Sequence, residues 1–251
     1  REVKIDQNKL YRYAKSDFKA KSLWERFGGQ NSFISYNIWG TRTGRLATME
    51  STFPILNLKK DIADIVVPTN NMFVQFDFNG SEIRTLLSLS GQEQPKEDIH
   101  EWNMKNIYRD LGTRDKAKQR FFAWLYNPNS KDHLTSRFYN RDKILEKYYH
   151  DGVIHTPKGR SIESDDFHAL NYLLQSVSSD NCLEQAIKIN KYLRGRKSFV
   201  HSVVHDSITI DLHADDREVI SEIRQIFEDT SLGIFPSSMY FSKNYKDFQE
   251  V

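Results

Sequence analysis

The chain has 251 residues, and its 36 Lys and Arg against 34 Asp and Glu leave a formal charge of only +2. That length supports one sizeable core with or without an inserted lobe, and the near-neutral balance means that any phosphate-binding surface must be local. The single cysteine, Cys182, excludes an internal disulfide framework and a cysteine-based zinc site, and fits a reducing compartment.

From Arg1 the sequence enters charged, helix-like residues at once, with no apolar run for a signal peptide or membrane span. It reads as a soluble fragment of something longer. Residues 1 to 30 are polar and aromatic without a clear period. The first strong strand is predicted at Met72 to Asp77, where β-favouring residues end on an acid before the turn pair Asn79-Gly80. Ile83, Leu86, Leu87 and Ser90 then predict a helix face. Helical sequence runs from Asp98 to His150, interrupted near Gly112 and at Asn127-Pro128-Asn129. Ile154 to Arg160 is expected to form a loop or short hairpin. Leu170, Leu173, Leu174 and Val177 predict a helix, and a further helix is expected over Cys182 to Leu193. Phe199 to Leu212 reads as two strands meeting at His205-Asp206-Ser207, and Val219, Ile220, Ile223, Ile226 and Phe227 as a helix covering the sheet. The order predicts an α+β fold with an antiparallel sheet, covering helices and an inserted helical lobe.

Two acids close strand signals, Asp77 and Asp206. Either alone is an ordinary turn former or helix cap. Between them, Arg114, Lys118, Phe122 and Tyr126 recur at four-residue intervals, so two cations and two rings share one helix stripe. An ordinary amphipathic helix has this pattern too. It also suits a nucleoside triphosphate, whose phosphates call for Arg and Lys and whose sugar and base call for flat apolar surface.

That stripe resembles the fingers-helix motif of the family A DNA polymerases, the bacterial DNA polymerase I class. Other motifs of the family follow in order. Thr43-Gly44-Arg45-Leu46 resembles its Thr-Gly-Arg-Leu segment, and Asp77-Phe78-Asn79-Gly80-Ser81-Glu82-Ile83-Arg84 its Asp-Tyr-Ser-Gln-Ile-Glu-Leu-Arg motif. Asp98-Ile99-His100 resembles a fingers segment, Thr156 with Gly159-Arg160 a fingers loop, Asn171 and Gln175 a duplex-reading helix, and His205-Asp206 the last motif. The set spans residues 41 to 212.

The resemblance implies a polymerase palm at residues 41–92 and 196–251, with a fingers subdomain at 93–195. Residues 1–40 would connect to an upstream thumb, beyond which an exonuclease domain is common. It implies two Mg²⁺ or Mn²⁺ held by Asp77, Asp206 and the Phe78 carbonyl, and catalysis by Asp77, Asp206 and Lys118. His100, Arg114, Lys118, Phe122 and Glu82 would bind the dNTP, with Glu82 excluding a ribose 2′-hydroxyl. Arg45, Tyr126, Arg160, Asn171, Gln175 and His205 would touch primer-template DNA, and the setting would be a bacterial or phage-infected cytoplasm. Ser207 departs from the glutamate usual after the last aspartate. His-Asp-Ser is also the pattern of single-subunit phage-type RNA polymerases, which leaves RNA synthesis as a rival reading opposed by Glu82 and Arg84. A non-catalytic primer-template binding module is the other alternative. Asn127 stands in place of a glycine, Phe167 in place of an arginine, and the stretch Phe53 to Asn57 matches only in part, as in a divergent member.

Overall fold

A computed structural model describes residues 2–109 and 112–251. Its N-terminal part comprises β1 (Glu2–Ile5), α1 (Gln7–Ala14), α2 (Phe18–Phe27), β2 (Ser32–Phe33), β3 (Tyr36–Asn37), β4 (Ala47–Thr48) and β5 (Val66–Val67). Where the sequence shows no period, two caps set the helices. Asp6 accepts from the Lys9 amide at 3.0 Å to start α1, and Asp17 accepts from the Ala20 amide at 2.9 Å to start α2.

After β6 (Met72–Phe78) comes a helical block of α3 (Ser81–Leu89), α4 (Ile99–Asn106), α5 (Arg114–Tyr126), α6 (His133–Tyr139) and α7 (Arg141–Tyr148). The small sheet β7 (Tyr149–His150), β8 (Val153–His155) and β9 (Ser161–Glu163) follows, then α8 (Ala169–Tyr192). The chain then adds β10 (Phe199–Val204), β11 (Ser207–Leu212), α9 (Ile220–Glu228), β12 (Asp229–Thr230), β13 (Gly233–Ile234), β14 (Ser237–Ser242) and β15 (Gln249–Glu250). The expected α+β class holds. A five-stranded antiparallel sheet in the order β10-β11-β6-β14-β15 forms the centre, and the helical block is inserted between its strands.

Alternation along β6 explains why its end matters. Val74, Phe76 and Phe78 point to one face, into a core with Cys182, Ile189, Ile223 and Phe227 of α8 and α9. Phe73 points the other way, into the core of Val3, Leu10, Ile65 and Val66. By the same period Asp77 projects on the Phe73 side, away from α9.

The separate helix expected over Cys182 to Leu193 is the second half of α8, which runs unbroken for 24 residues. The polar run Ser178-Ser179-Asp180-Asn181 between the two halves holds no Gly or Pro, and its serines are buried with partners. Ser178 Oγ meets Ser81 Oγ at 2.5 Å, and Ser179 Oγ donates to the Gly44 carbonyl at 3.2 Å. The first half of α8 packs in the core of the helical block and the second half under the central sheet, so the helix rigidly joins the two. The expected hairpin at Ile154 to Arg160 is present, turned by Gly159 at φ +84°. Among the described residues no helix is long and apolar enough to cross a membrane.

Candidate active site

Asp77 and Asp206 are far apart in sequence and adjacent in the sheet. Register places Asp77 opposite Ser207, and the Phe78 amide donates to the Asp206 carbonyl at 3.4 Å. Asp206 occupies the tip of the β10–β11 hairpin, where His205 adopts φ +54°, a left-handed conformation uncommon for a residue with a side chain. Burial and the charge of Asp206 push the Asp77 carboxyl up to about 7, against the opposing field of Lys118. Burial likewise raises Asp206, opposed by its own amide and by His205, Arg45 and Lys118. Among the described residues no group of three or more His, Cys, Asp or Glu gathers at one point, so the acidic floor is a pair. Ser207 does not extend it, because its hydroxyl turns back to donate to the Val204 carbonyl at 2.9 Å.

The floor opens into a cavity of about 330 Å³, lined also by Arg45, Phe78, Glu82, His100, Arg114, Lys118, Phe122, Tyr126 and His205. Three helices, α3, α4 and α5, aim most of these residues. Gly80 starts α3 at φ +73°, and a Cβ there would lie 2.5 Å from Ile99 Cγ2, so only glycine allows α3 and α4 to approach this closely. In the first turn of α3, Glu82 accepts from Arg45 Nη2 at 2.9 Å and from the Tyr126 hydroxyl at 2.8 Å. Burial raises the Glu82 carboxyl while these two donors oppose the shift.

On α4, Asp98 caps the helix by accepting from the His100 and Glu101 amides at 3.0 and 2.9 Å. The same carboxylate takes Arg114 in a two-point pair, from Nε at 3.1 Å and from Nη2 at 2.7 Å. His100 is only 3 % exposed, and burial lowers it to about 4, so the ring is neutral at pH 7. Its Nδ1 has no protein partner. On α5, Arg114, Lys118, Phe122 and Tyr126 all reach the cavity wall, as a four-residue spacing requires, and the last two rings stack at 5.7 Å and 14°.

Arg160, Asn171 and Gln175 lie outside this cavity. Arg160 pairs with Asp180 at 2.7 Å and packs against Gly44, while Gln175 donates to Asn171 at 2.7 Å on α8. Sequence reasoning missed Ser178 and Ser179 as lining residues, and Asp98 as the anchor of Arg114. The cap position of Asp98 before Ile99 is readable in the sequence, but nothing local signals its pairing with Arg114. Arg84 is wholly buried, and it donates to the carbonyls of Asn79, Pro95 and Glu97 at 2.7 to 2.8 Å. It thereby ties the end of β6 to the loop that leads into α4. Burial lowers it to about 10, which leaves it charged at neutral pH.

No protein-family model and no curated protein sequence matches the chain. A solved structure does: the POL domain of Pol1 from M. smegmatis, in complex with DNA primer-template and dNTP. It aligns at a TM-score of 0.70 and 16 % identity over 91 % of this chain. This chain spans 50 % of the length of that one. The chain has a polymerase-domain fold, with an antiparallel palm-like sheet and an inserted helical block.

Proposed function

We propose that this chain is the palm and fingers portion of a template-directed DNA polymerase that adds dNTPs to a primer 3′-hydroxyl. The observation that carries the reading is the convergence of two half-buried carboxylates with Lys118, Arg114 and an aromatic pair around one cavity, in a fold shared with a polymerase domain bound to DNA and dNTP. In this reading residues 41–92 and 196–251 are palm, residues 93–195 are fingers, and α8 bridges them.

The floor suits a hard divalent cation. Its donors are carboxylate oxygens whose pKa values burial has raised, and Mg²⁺ or Mn²⁺ binds through one or two carboxylates, with water and phosphate oxygens completing the shell. Asp77, Asp206 and the Phe78 carbonyl would hold the ions. Bound there, two ions supply activation of the primer hydroxyl and charge stabilisation on the attacking and leaving oxygens. Lys118 is exposed on the cavity wall and is placed to protonate the departing pyrophosphate. Arg114, already oriented by Asp98, presents its guanidinium to the triphosphate, and neutral His100 offers one further hydrogen bond. Phe122 stacks on the incoming base, and Tyr126 borders the template side. Arg45, His205, Arg160, Asn171 and Gln175 contact the duplex.

Glu82 carries the choice of sugar. Arg45 and Tyr126 pin its carboxylate in the first turn of α3, and in this reading the carboxylate takes the space that a ribose 2′-hydroxyl would need. Primer extension by the full-length parent with dNTPs and then with rNTPs tests this. The expected result is strong preference for dNTPs, reduced roughly 10- to 100-fold in Glu82→Ala. Equal use of both sugars by the unaltered protein would favour RNA synthesis, and absence of cation-dependent extension would leave only a binding module.

A further inference from the structure

The far end of α3 borders a second cavity, of about 370 Å³, which shares no lining residue with the acidic one. Glu82 lines the first and Leu89 the second, about 10 Å further along the helix axis. Leu89, Tyr139 and Ile144 supply buried apolar lining, whereas Arg137, Lys143 and Lys147 line it as exposed cations. Among the described residues no carboxylate lines this cavity.

The backbone gathers the three cations. Asn140, at φ +40°, ends α6 and at once caps α7, its side chain accepting from the Lys143 amide at 3.3 Å. Arg137 lies one turn before that corner, and Lys143 and Lys147 lie four residues apart on the face of α7 that carries Ile144. The Gln92 side chain ties the end of α3 to the corner by donating to the Phe138 carbonyl at 3.2 Å. Other cations of the helical block are paired tightly, Arg114 with Asp98 at 2.7 Å and Arg120 with Asp132 at 2.6 Å. Among the described residues Arg137, Lys143 and Lys147 form no ion pair, although α7 also carries Asp142 and Glu146. Three like charges around one concavity repel one another, and a bound anion relieves that repulsion. Two ammonium groups and a guanidinium fork call for several negative charges and many acceptor oxygens, which phosphate groups supply and a lone carboxylate does not. Cavities of this volume hold small molecules.

We propose that Arg137, Lys143 and Lys147 form a second anion site that takes linked phosphate groups, from a free polyphosphate or from a nucleic-acid backbone. The first measurement uses the full-length parent carrying Arg114→Ala and Lys118→Ala, so that those two cations of the acidic cavity are absent. Calorimetric titration with inorganic pyrophosphate, at low salt and without divalent cation, should still show one site. Adding Lys143→Ala with Lys147→Ala should weaken it at least about 10-fold, and Lys143→Arg with Lys147→Arg should keep it within about threefold. The second measurement restores Arg114 and Lys118 and follows binding of a fluorescein-labelled primer-template DNA from about 50 to about 300 mM salt. If backbone phosphates occupy the site, the alanine pair should flatten the slope of log affinity against log salt by about one to two; if only free polyphosphate does, the slope stays. The site is overturned if neither pyrophosphate affinity nor the slope responds to the alanine pair, or if the arginine pair responds equally. A parent that binds pyrophosphate here and extends no primer keeps this site and loses the polymerase reading.

Discussion

The cavity has a sheet-borne floor and a helix-borne wall, and the two treat charge in opposite ways. On the floor, Asp77 and Asp206 are fixed by strand register beside one another, and burial raises both. On the wall Arg114 is matched by Asp98 and Glu82 by Arg45, and in the helices behind it Arg120 is matched by Asp132 and Arg84 by three carbonyls. Among the described residues Lys118 forms no ion pair and is the exception on that wall. A site built this way spends folding stability on the floor and recovers some of it on the wall. Charges left unmatched in the free protein are those a ligand must complete.

The largest expected effect follows from removing a floor charge. Asp77→Asn or Asp206→Asn should lower primer extension by about 10³-fold or more, through loss of cation binding. Stability should move the other way. A carboxyl whose folded pKa lies above its unfolded value favours folding less as pH rises between the two, here from about 4 to about 7. The cation-free protein should therefore lose melting temperature over that window through Asp77. In Asp77→Asn that part of the slope should disappear, and added Mg²⁺ should raise the melting temperature of the unaltered protein at pH 8 only. An unchanged slope in Asp77→Asn would show that the floor is not under electrostatic stress.

On the wall, Lys118→Ala should lower kcat about 10²-fold with little change in stability, since no partner is left stranded. Because Lys118 opposes the rise of Asp77, the same variant should shift the acidic limb of the rate profile to higher pH. A change confined to KM would assign Lys118 to binding alone. The junction between floor and wall is tested by Gly80→Ala. Its φ of +73° and the 2.5 Å approach to Ile99 should cost about 2 kcal/mol, read as a lower urea midpoint with unchanged m. Full stability in Gly80→Ala would mean that α3 and α4 can part without cost.

How far the sequence foretells this contrast differs between the two regions. The strand ending at Asp77, the hairpin tip at Asp206 and the stripe from Arg114 to Tyr126 are local patterns of period two or four, and local patterns survive into the fold. That Asp98 serves both as cap and as partner to Arg114 depends on how two helices meet, and no spacing encodes it. The continuity of α8 was hidden for a related reason. Ser178, Ser179 and Asn181 interrupt the apolar spacing of the helix, and only the fold shows that they too are buried. In residues 1 to 30 the caps Asp6 and Asp17 were readable; α1 buries only Leu10 and shows no period, whereas α2 buries Ala20, Leu23 and Phe27 at helical spacing.

The smallest effect, and the opposite sign, belongs to the helices behind the wall. Burial alone would raise Asp132, but the hydrogen bonds from Arg120 at 2.6 and 2.8 Å and from Thr135 prevail and hold the carboxyl at about 2. A depressed folded pKa gives stability that is complete above the unfolded value near 4 and is lost as pH falls toward 2. Asp132→Asn retains an oxygen to cap α6 but not the charge for Arg120. It should cost about 1–2 kcal/mol at pH 7, an amount tempered by the partly exposed guanidinium, and almost nothing at pH 2. Thermal melts of Asp132→Asn and Asp77→Asn across pH 3 to 8 therefore give difference curves of opposite slope. Curves of the same slope would mean that the floor and the wall do not divide their charges as described.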